Sequence, residues 1–205
     1  MVRNPAVFLF DEPRYKLDAQ LSTQIRLEIK RLKQRVGNTI IFVKHDKVEA
    51  MNMADRIVIM KDGHNQQVGT PAEVDHQPAN TFVARFIGAP SMNLLQGKVT
   101  DTGVMFDGGQ QVPMGVAALK NASSIILGVR PDDLVPNPEN PIVSGKVTVR
   151  EPLGPETLIY VETPSGEVIA KADGRNPPKV GDTVHLGAGA EHLHIFDEVT
   201  GEAWS

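Results

Sequence analysis

Three almost entirely apolar runs lie in the first third of the chain. They occupy residues 7–10, 39–43 and 56–60, and polar segments separate them. Short apolar runs rich in β-branched and aromatic residues are typical of strands in the middle of a parallel sheet. We therefore predict three strands, the first of them buried on both faces.

Helical periodicity separates the first two runs. Between residues 19 and 36 apolar residues recur every three or four positions, which places them on one helix face, and Asp18 is a suitable N-cap. A second helix is expected from about residue 46 to 54, and a turn at 61–63 follows the third run. This order of strands and helices predicts a βαβ unit in which the first two strands are parallel neighbours.

The pattern changes near residue 90, where helical periodicity stops and short strands separated by Gly, Pro and Asp begin. The change predicts an α/β domain over 1–89 and a β-rich barrel or sandwich over 90–205. The sequence Gly-Lys-Val-Thr occurs at 97–100 and again at 145–148. This repeat favours two related β-units, although four identities also arise by chance. Prolines between 136 and 141 suit the connection between the units, because proline is poorly tolerated inside sheets.

Composition narrows the class of protein. Cysteine is absent from the 205 residues, which excludes disulfides and thiolate metal sites and agrees with a reducing cytoplasm. No run of about 18 apolar residues is present, so no transmembrane helix is expected. Residues 1–89 carry 13 Lys and Arg against 10 Asp and Glu (net +3), whereas residues 90–205 carry 8 against 15 (net −7). The acidic second half argues against a nucleic-acid partner, which needs clustered basic side chains.

Acidic residues and a histidine follow the first two predicted strands. Asp11 and Glu12 end the first strand, Asp18 follows shortly after, and His45 lies just past the second strand. Parallel strands expose their carboxyl ends at one edge, so these side chains should converge there. Such a set suits transfer of a phosphoryl group to water with Mg²⁺. Taken singly, each residue has a plainer interpretation, in which the acids cap the strand and His45 belongs to an ordinary loop.

A second candidate lies near the end of the chain. His192 and His194 alternate along a predicted strand, which puts them on one face at a spacing that can bind a metal ion. No third ligand is evident, so ordinary strand residues are the favoured interpretation.

The order of several short motifs resembles one protein family. Residues 10–13 (Phe-Asp-Glu-Pro), 17–19 (Leu-Asp-Ala) and 45–46 (His-Asp) resemble the Walker B strand, D-loop and switch histidine of ABC transporter ATPases. Residues 78–84 resemble the end of that cassette in carbohydrate importers, and residues 128–131 resemble the appended regulatory domain. The resemblance covers essentially the whole chain and is closest to the ATP-binding subunits of maltose and sn-glycerol-3-phosphate importers.

The resemblance implies a partial P-loop NTPase cassette with a parallel sheet, followed by an all-β oligonucleotide/oligosaccharide-fold-like regulatory domain. It implies ATP and Mg²⁺ as cofactors, with Asp11 holding the water shell of the metal, Glu12 as general base and His45 on the γ-phosphate. Asp18 would lie at the interface of a cassette dimer. The implied partners are a homodimer or an intact ATPase subunit and membrane permease subunits, at the cytoplasmic face of the inner membrane, with no nucleic acid.

The chain also departs from the family pattern. The phosphate-binding sequence Gly-x-x-x-x-Gly-Lys-Ser/Thr and the signature Leu-Ser-Gly-Gly-Gln occur nowhere in it. We therefore expect no steady ATP hydrolysis by this chain alone, and whether it acts as an enzyme stays open. Its start suits a truncated or decayed copy or a misplaced gene start. The alternatives are part of an importer's ATP-hydrolysing subunit, a non-catalytic dimerisation or regulatory module, or an inert remnant.

Overall fold

The computed structural model describes residues 7–11, 28, 31, 39–107, 111–113, 119 and 122–204. The chain divides into two compact units, one formed by residues 1–57 and 68–71 and the other by residues 58–67 and 72–205.

The first unit contains a two-stranded parallel sheet. It consists of β1 (Val7–Asp11) and β2 (Thr39–Val43). Val7 pairs with Thr39 and Asp11 pairs with Val43, so both strands end at the same edge. The predicted parallel pairing is confirmed.

The second predicted helix is confirmed over Lys47–Met53. The helix expected over 19–36 lies outside the described residues except for Glu28 and Arg31. Both of these residues are helical, and Arg31 Nη1 lies 2.7 Å from Glu28 Oε1.

A tight hairpin follows and joins β3 (Ile57–Lys61) to β4 (His64–Gly69). Asp62 and Gly63 form its two-residue turn, with φ angles of 50° and 78°. Positive φ at both central residues matches the right-handed twist of the paired strands, which favours Asp-Gly at this point. The turn predicted at 61–63 is confirmed.

Two short helices, Pro71–His76 and Thr81–Phe86, follow the hairpin. Asn80 caps the second helix by accepting a hydrogen bond from a backbone amide one turn further on, at 2.9 Å. The end of the chain holds this segment in place, since the Ala203 amide donates to the Ala79 carbonyl at 2.9 Å. None of the helices that the structure describes is long and apolar enough to cross a bilayer.

Antiparallel β-structure dominates the rest of the described chain. Its strands are β5 (Asn93–Thr100), β6 (Gly103–Phe106), β7 (Gln111–Val112), β8 (Ser124–Val129), β9 (Val135–Pro136), β10 (Val143–Pro152), β11 (Glu156–Thr163), β12 (Gly166–Asp173), β13 (Thr183–Gly187) and β14 (Leu193–Asp197).

These strands form two five-stranded sheets. The strand order is β14-β8-β5-β6-β7 in the first sheet and β12-β11-β10-β13-β9 in the second. The Lys171 amide on β12 donates to the Leu134 carbonyl, just before β9, at 3.0 Å. The outer strands of the second sheet therefore approach each other, and the sheet curls toward a closed barrel.

Both sheets contribute to one hydrophobic core. Leu95 and Leu127 enter it from the first sheet, and Ile159 and Leu186 enter it from the second, each at most 1% exposed. Trp204, the single tryptophan of the chain, packs against the same cluster. The β-rich architecture predicted for the second half is confirmed.

The side chain of Asn93 ties the outer edge of β12 to the first sheet. Its Nδ2 donates to the Ile169 carbonyl at 2.8 Å and to the Val129 carbonyl at 3.2 Å, and its Oδ1 accepts the Ile169 amide at 2.8 Å. Ile169 pairs with Tyr160 of β11 on its other side. Asn93 therefore makes the two backbone hydrogen bonds that a further strand would make at this edge.

The two copies of Gly-Lys-Val-Thr occupy the same place in the two sheets. Residues 97–100 lie in β5 and residues 145–148 lie in β10, and each strand is the central one of its sheet. A Cβ on Gly97 would lie 2.9 Å from the Phe106 ring, and one on Gly145 would collide with the Glu162 carbonyl. Crowding explains why both copies carry glycine, while a common origin of the two units stays a prediction.

Candidate functional site

The candidate site lies at the edge where β1 and β2 end. Asp11 is the last residue of β1 and pairs with Val43, the last residue of β2, and His45 follows two residues later. Both Asp11 and His45 are exposed. The structure therefore places the Asp11 carboxylate at the end of β1 and the His45 imidazole two residues after the end of the neighbouring strand β2.

The two faces of the β1–β2 sheet differ in exposure. Phe10 and Phe42 share a half-buried face and stack with ring centroids 4.9 Å apart. On the opposite face Leu9 is 68% exposed and Ile41 is 49% exposed. Asp11 lies on this exposed face, because side chains alternate along a strand. The prediction that the first strand is buried on both faces is wrong, because no described residue covers this side of the sheet.

Local contacts fix the loop that carries His45. Asp46 is the N-cap of the helix Lys47–Met53 and accepts a hydrogen bond from the Glu49 amide at 2.9 Å. The Lys44 ammonium lies 2.9 Å from Glu49 Oε2, and these side chains are 13% and 21% exposed. A cap of this kind typically contributes about 1 kcal/mol to helix stability. His45 therefore lies between Lys44, which pairs with Glu49 in the first turn of this helix, and Asp46, which caps the helix.

Two of the predicted site residues, Glu12 and Asp18, lie outside the described residues. Within the part of the chain that the structure describes, no group of three or more His, Asp or Glu side chains is placed to hold a metal ion. Asp11 offers a single exposed carboxylate at this edge, which suits contact with a hydrated Mg²⁺ ion rather than a cage of protein ligands.

The guanidinium of Arg130 connects both short helices to the β-structure. Its Nη1 donates to the Ile87 carbonyl at 2.8 Å, and its Nη2 donates to the Asp75 carbonyl at 2.8 Å and lies 2.9 Å from Asp75 Oδ1. The Arg130 side chain is 11% exposed. Burial lowers its pKa from the ordinary value, and the charges of Asp75, Asp133 and Asp132 oppose that shift. The sequence singled out Arg130 only as part of the motif at residues 128–131. Its hydrogen-bond partners Ile87 and Asp75 lie 43 and 55 positions away, so no local pattern predicts these contacts.

His194 lies in the electrostatic surroundings of Arg130. Burial lowers the pKa of His194 below its ordinary value, and the charges of Arg130 and His76 lower it further. The charges of Asp133 and Asp75 act in the opposite direction. The neutral form of His194 is therefore favoured in the folded protein.

His192 does not share a strand face with His194. It ends the short 3₁₀ turn Ala190–His192, which precedes β14, and its Nδ1 lies 3.3 Å from Asp133 Oδ1. The strand pair expected from the sequence is wrong, because the chain turns before the strand begins. Among the described residues neither histidine belongs to a metal-binding group.

Two known domain families match the β-rich part of the chain. The MalK OB fold domain family matches residues 88–134, and the TOBE domain family matches residues 127–196. Together the two matches contain strands β5 to β13. The second part of the chain therefore has the all-β architecture of these domains.

Curated relatives match nearly the whole chain. An ATP-binding protein of Brucella abortus (strain 2308) is 45% identical over 98% of this chain and 57% of its own length. The sn-glycerol-3-phosphate import ATP-binding proteins of Burkholderia pseudomallei (strain K96243) and Vibrio vulnificus (strain YJ016) are 40% and 43% identical, over 98% and 97% of this chain. Over nearly its whole length, this chain is similar to import ATP-binding proteins.

The chain spans just over half the length of the family members that it matches, 58% and 54% for the two importer proteins. The described residues of 1–89 form the β1–β2 sheet, the β3–β4 hairpin and three short helices, and they do not show the partial P-loop cassette that the resemblance implied. The sequence Gly-x-x-x-x-Gly-Lys-Ser/Thr, whose backbone amides cradle phosphates in such a cassette, does not occur in these 205 residues.

One solved structure resembles part of the chain. The cytoplasmic molybdate-binding protein ModG aligns with 50% of this chain and 94% of its own, at 13% identity and a TM-score of 0.38. A likeness of this strength carries no argument about the fold or its ligands.

Proposed function

We propose that this chain supplies the Walker B, D-loop and switch-histidine part of an ABC importer ATPase subunit, followed by its regulatory domain over residues 90–205. The transported substrate is sn-glycerol-3-phosphate or a related carbohydrate. The observation that carries the proposal is the parallel pairing of β1 with β2, which sets Asp11 and His45 at neighbouring strand ends. Relatives named as import ATP-binding proteins, 40% and 43% identical to this chain, support it.

Each site residue has a distinct role in this proposal. Asp11 would hold the water shell of Mg²⁺, and Glu12 would accept the proton of the attacking water. His45 would donate a hydrogen bond to the terminal phosphate of ATP. Asp18 would lie at the interface between two cassettes. MgATP supplies the phosphoryl group, while the side chains of this chain position water and hold charge around it.

The chain by itself would not sustain ATP hydrolysis. Its 205 residues lack the Gly-x-x-x-x-Gly-Lys-Ser/Thr sequence whose backbone amides cradle phosphates. The missing groups would come from a longer form of the protein or from an intact partner subunit. Membrane permease subunits would be further partners, which places the assembly peripherally on the cytoplasmic face of the inner membrane.

A chimeric protein tests the proposal. It joins this chain to the part of the Burkholderia pseudomallei relative that the chain does not match, and phosphate release is measured with ATP and Mg²⁺. We expect the chimera to hydrolyse ATP and the chain alone to show none. Glu12→Gln should lower the rate of the chimera by about 100-fold or more, as expected for loss of a general base. Glu167→Gln, which changes an exposed carboxylate on β12, is the matched control.

Two results would contradict the proposal. Steady hydrolysis by the chain alone, abolished by Glu12→Gln, would show that the phosphate loop is dispensable. An active chimera whose rate is the same with Glu12→Gln would remove Glu12 from the mechanism.

A non-catalytic dimerisation or regulatory module is the second candidate. It is favoured by the second unit, whose two sheets share one hydrophobic core without any residue of the candidate ATP site. In that case the purified chain should capture a full-length relative in a pull-down experiment. A chain that stays monomeric and captures no full-length relative would exclude this function.

A further inference from the structure

A cavity of about 490 Å³ that is open to solvent lies in the second unit, whereas Asp11 and His45 belong to the first. The end of β3, the helix Thr81–Phe86 and the central strands of the first sheet surround it. All its lining residues belong to that one unit. The volume falls in the range of small-molecule sites, roughly 300–1,000 Å³.

Two cationic side chains line the cavity. Lys61 Nζ lies 5.0 Å from the centroid of the Phe82 ring, a cation–π contact that holds the ammonium over the aromatic face. Phe82 in turn stacks on Phe86, with centroids 5.6 Å apart, so the ring has its own support. Arg85 lies three residues after Phe82 on the same helix. Among the described residues, no ion pair or side-chain hydrogen bond neutralises Lys61 or Arg85.

The charge of the cavity is positive although the second half of the chain is acidic. Asp107 is the single carboxylate among the lining residues, against Lys61 and Arg85. A cavity with two cations and one carboxylate attracts an anion and disfavours a cation. Both cations belong to residues 1–89, which carry a net charge of +3, whereas Asp107 belongs to the acidic second half.

The floor of the cavity is apolar. Leu94 and Ile126 line it, both half-buried, and they pack against the buried cluster of Ala84, Met92 and Phe196. Apolar surface beside two cations fits a molecule that carries a hydrocarbon or polyol stem in addition to its charge. A simple inorganic ion would make no use of these contacts.

We propose that this cavity binds a small organic anion that carries a phosphate or carboxylate group on a short stem. The anionic group lies between Lys61 and Arg85, and the stem contacts Leu94 and Ile126. The site goes beyond the function proposed above, since it uses neither ATP nor any residue of the candidate ATP site.

Calorimetric titration of the purified full chain tests the proposal. The probes are sn-glycerol 3-phosphate, succinate, inorganic phosphate and uncharged glycerol at constant ionic strength. We expect at least one organic anion to bind and glycerol not to bind. The double variant Lys61→Gln/Arg85→Gln should weaken binding about 100-fold, because each of the two lost charge-assisted contacts is worth about tenfold.

The matched control is Lys146→Gln/Arg175→Gln, which removes two exposed cations elsewhere and changes the net charge equally. It should leave the affinity unchanged. In the unsubstituted chain the side-chain NMR signal of Arg85 should shift on titration and that of Arg175 should not.

Three results would overturn the proposal. One is that none of the organic anions binds. Another is that both double variants weaken binding equally, which would indicate diffuse attraction by surface charge. The third is that inorganic phosphate binds as tightly as the organic anions, which would leave the apolar floor without a role. None of these binding measurements depends on ATP hydrolysis. A negative result for the anion site therefore leaves the ATPase proposal standing, and the reverse is also true.

Discussion

Replacement of Asn93 by alanine tests whether one side chain ties the two five-stranded sheets together. Alanine removes both hydrogen bonds to Ile169 and leaves the outer edge of β12 without its partner. Asn93 is 9% exposed, so water has little access to the groups that lose their bonds.

The expected loss follows from the groups left unpaired. A buried backbone amide or carbonyl without a hydrogen bond costs about 1–3 kcal/mol. Ile169 is half-buried, which places each of its two groups in the lower half of that range. We therefore expect Asn93→Ala to lower the free energy of unfolding by about 2–4 kcal/mol. Asn93→Asp should cost at least as much near neutral pH, because its carboxylate keeps the bond from the amide but faces two carbonyl oxygens.

Urea unfolding followed by Trp204 fluorescence measures this loss, since the single tryptophan packs against the core shared by the two sheets. Hydrogen exchange at the Ile169 amide reports the broken bond directly and should accelerate. Asn137→Ala is the control, because its side chain accepts only exposed amides, at 3.2 and 3.3 Å, and should cost less than about 1 kcal/mol. An Asn93→Ala chain within about 0.5 kcal/mol of the parent, or an Ile169 amide with unchanged protection, would refute the reasoning.

Three further substitutions test other contacts. Arg130→Met removes two carbonyl contacts and the Asp75 ion pair together and should lower the free energy of unfolding by about 3 kcal/mol, measured by urea; a loss below about 1 kcal/mol would contradict this role. His194→Gln should reduce the loss of stability in acid. Because the folded pKa of His194 lies below the unfolded one, the unfolded chain binds a proton first as pH falls through about 6.5, so stability present above that pH is lost toward the folded pKa. Equal shifts of the urea midpoint between about pH 7.5 and 5.5 in parent and variant would exclude His194 as the cause. Gly145→Ala should cost about 1–3 kcal/mol, because its Cβ collides with a backbone carbonyl of β11. Gly189→Ala meets only an exposed glutamate side chain and is its control; a thermal midpoint shifted equally in both variants would contradict the packing argument.

Features that depend on neighbouring residues were predictable from the sequence. The turn at Asp62-Gly63 needs positive φ at two adjacent positions, and the sequence shows the residues that adopt it. The N-cap at Asp46 depends on an amide three residues away. The parallel pairing of β1 with β2 followed from the order of apolar runs and an intervening helical pattern.

Features that join distant parts of the chain were not predictable in this way. Asn93 and Ile169 are 76 positions apart, and nothing in either local pattern links them. The burial expected for β1 was wrong for a related reason. An apolar run shows that a strand can be covered on both faces, but it does not show which elements cover it.

The residues of the candidate site also differ in how far the sequence could place them. Strand order sufficed to place Asp11 and His45 at one edge, because the geometry of parallel strands determines where their ends lie. The roles of Glu12 and Asp18 rest on the family resemblance and stay predictions. The cavity of Lys61 and Arg85 had no signal in the sequence, since its walls come from six separate segments.

The two proposed sites differ in how much of their chemistry the chain contains. At the β1–β2 edge, Leu9 and Ile41 expose an apolar face beside Asp11, and the sequence lacks the glycine-rich loop that would hold phosphates. An acid and a histidine in that setting need groups from another chain or a longer protein before ATP can react. The cavity instead has its cations and its apolar floor within one unit whose core is already buried. The two sites share no residue, so the proposed binding of an anion does not depend on the proposed hydrolysis of ATP.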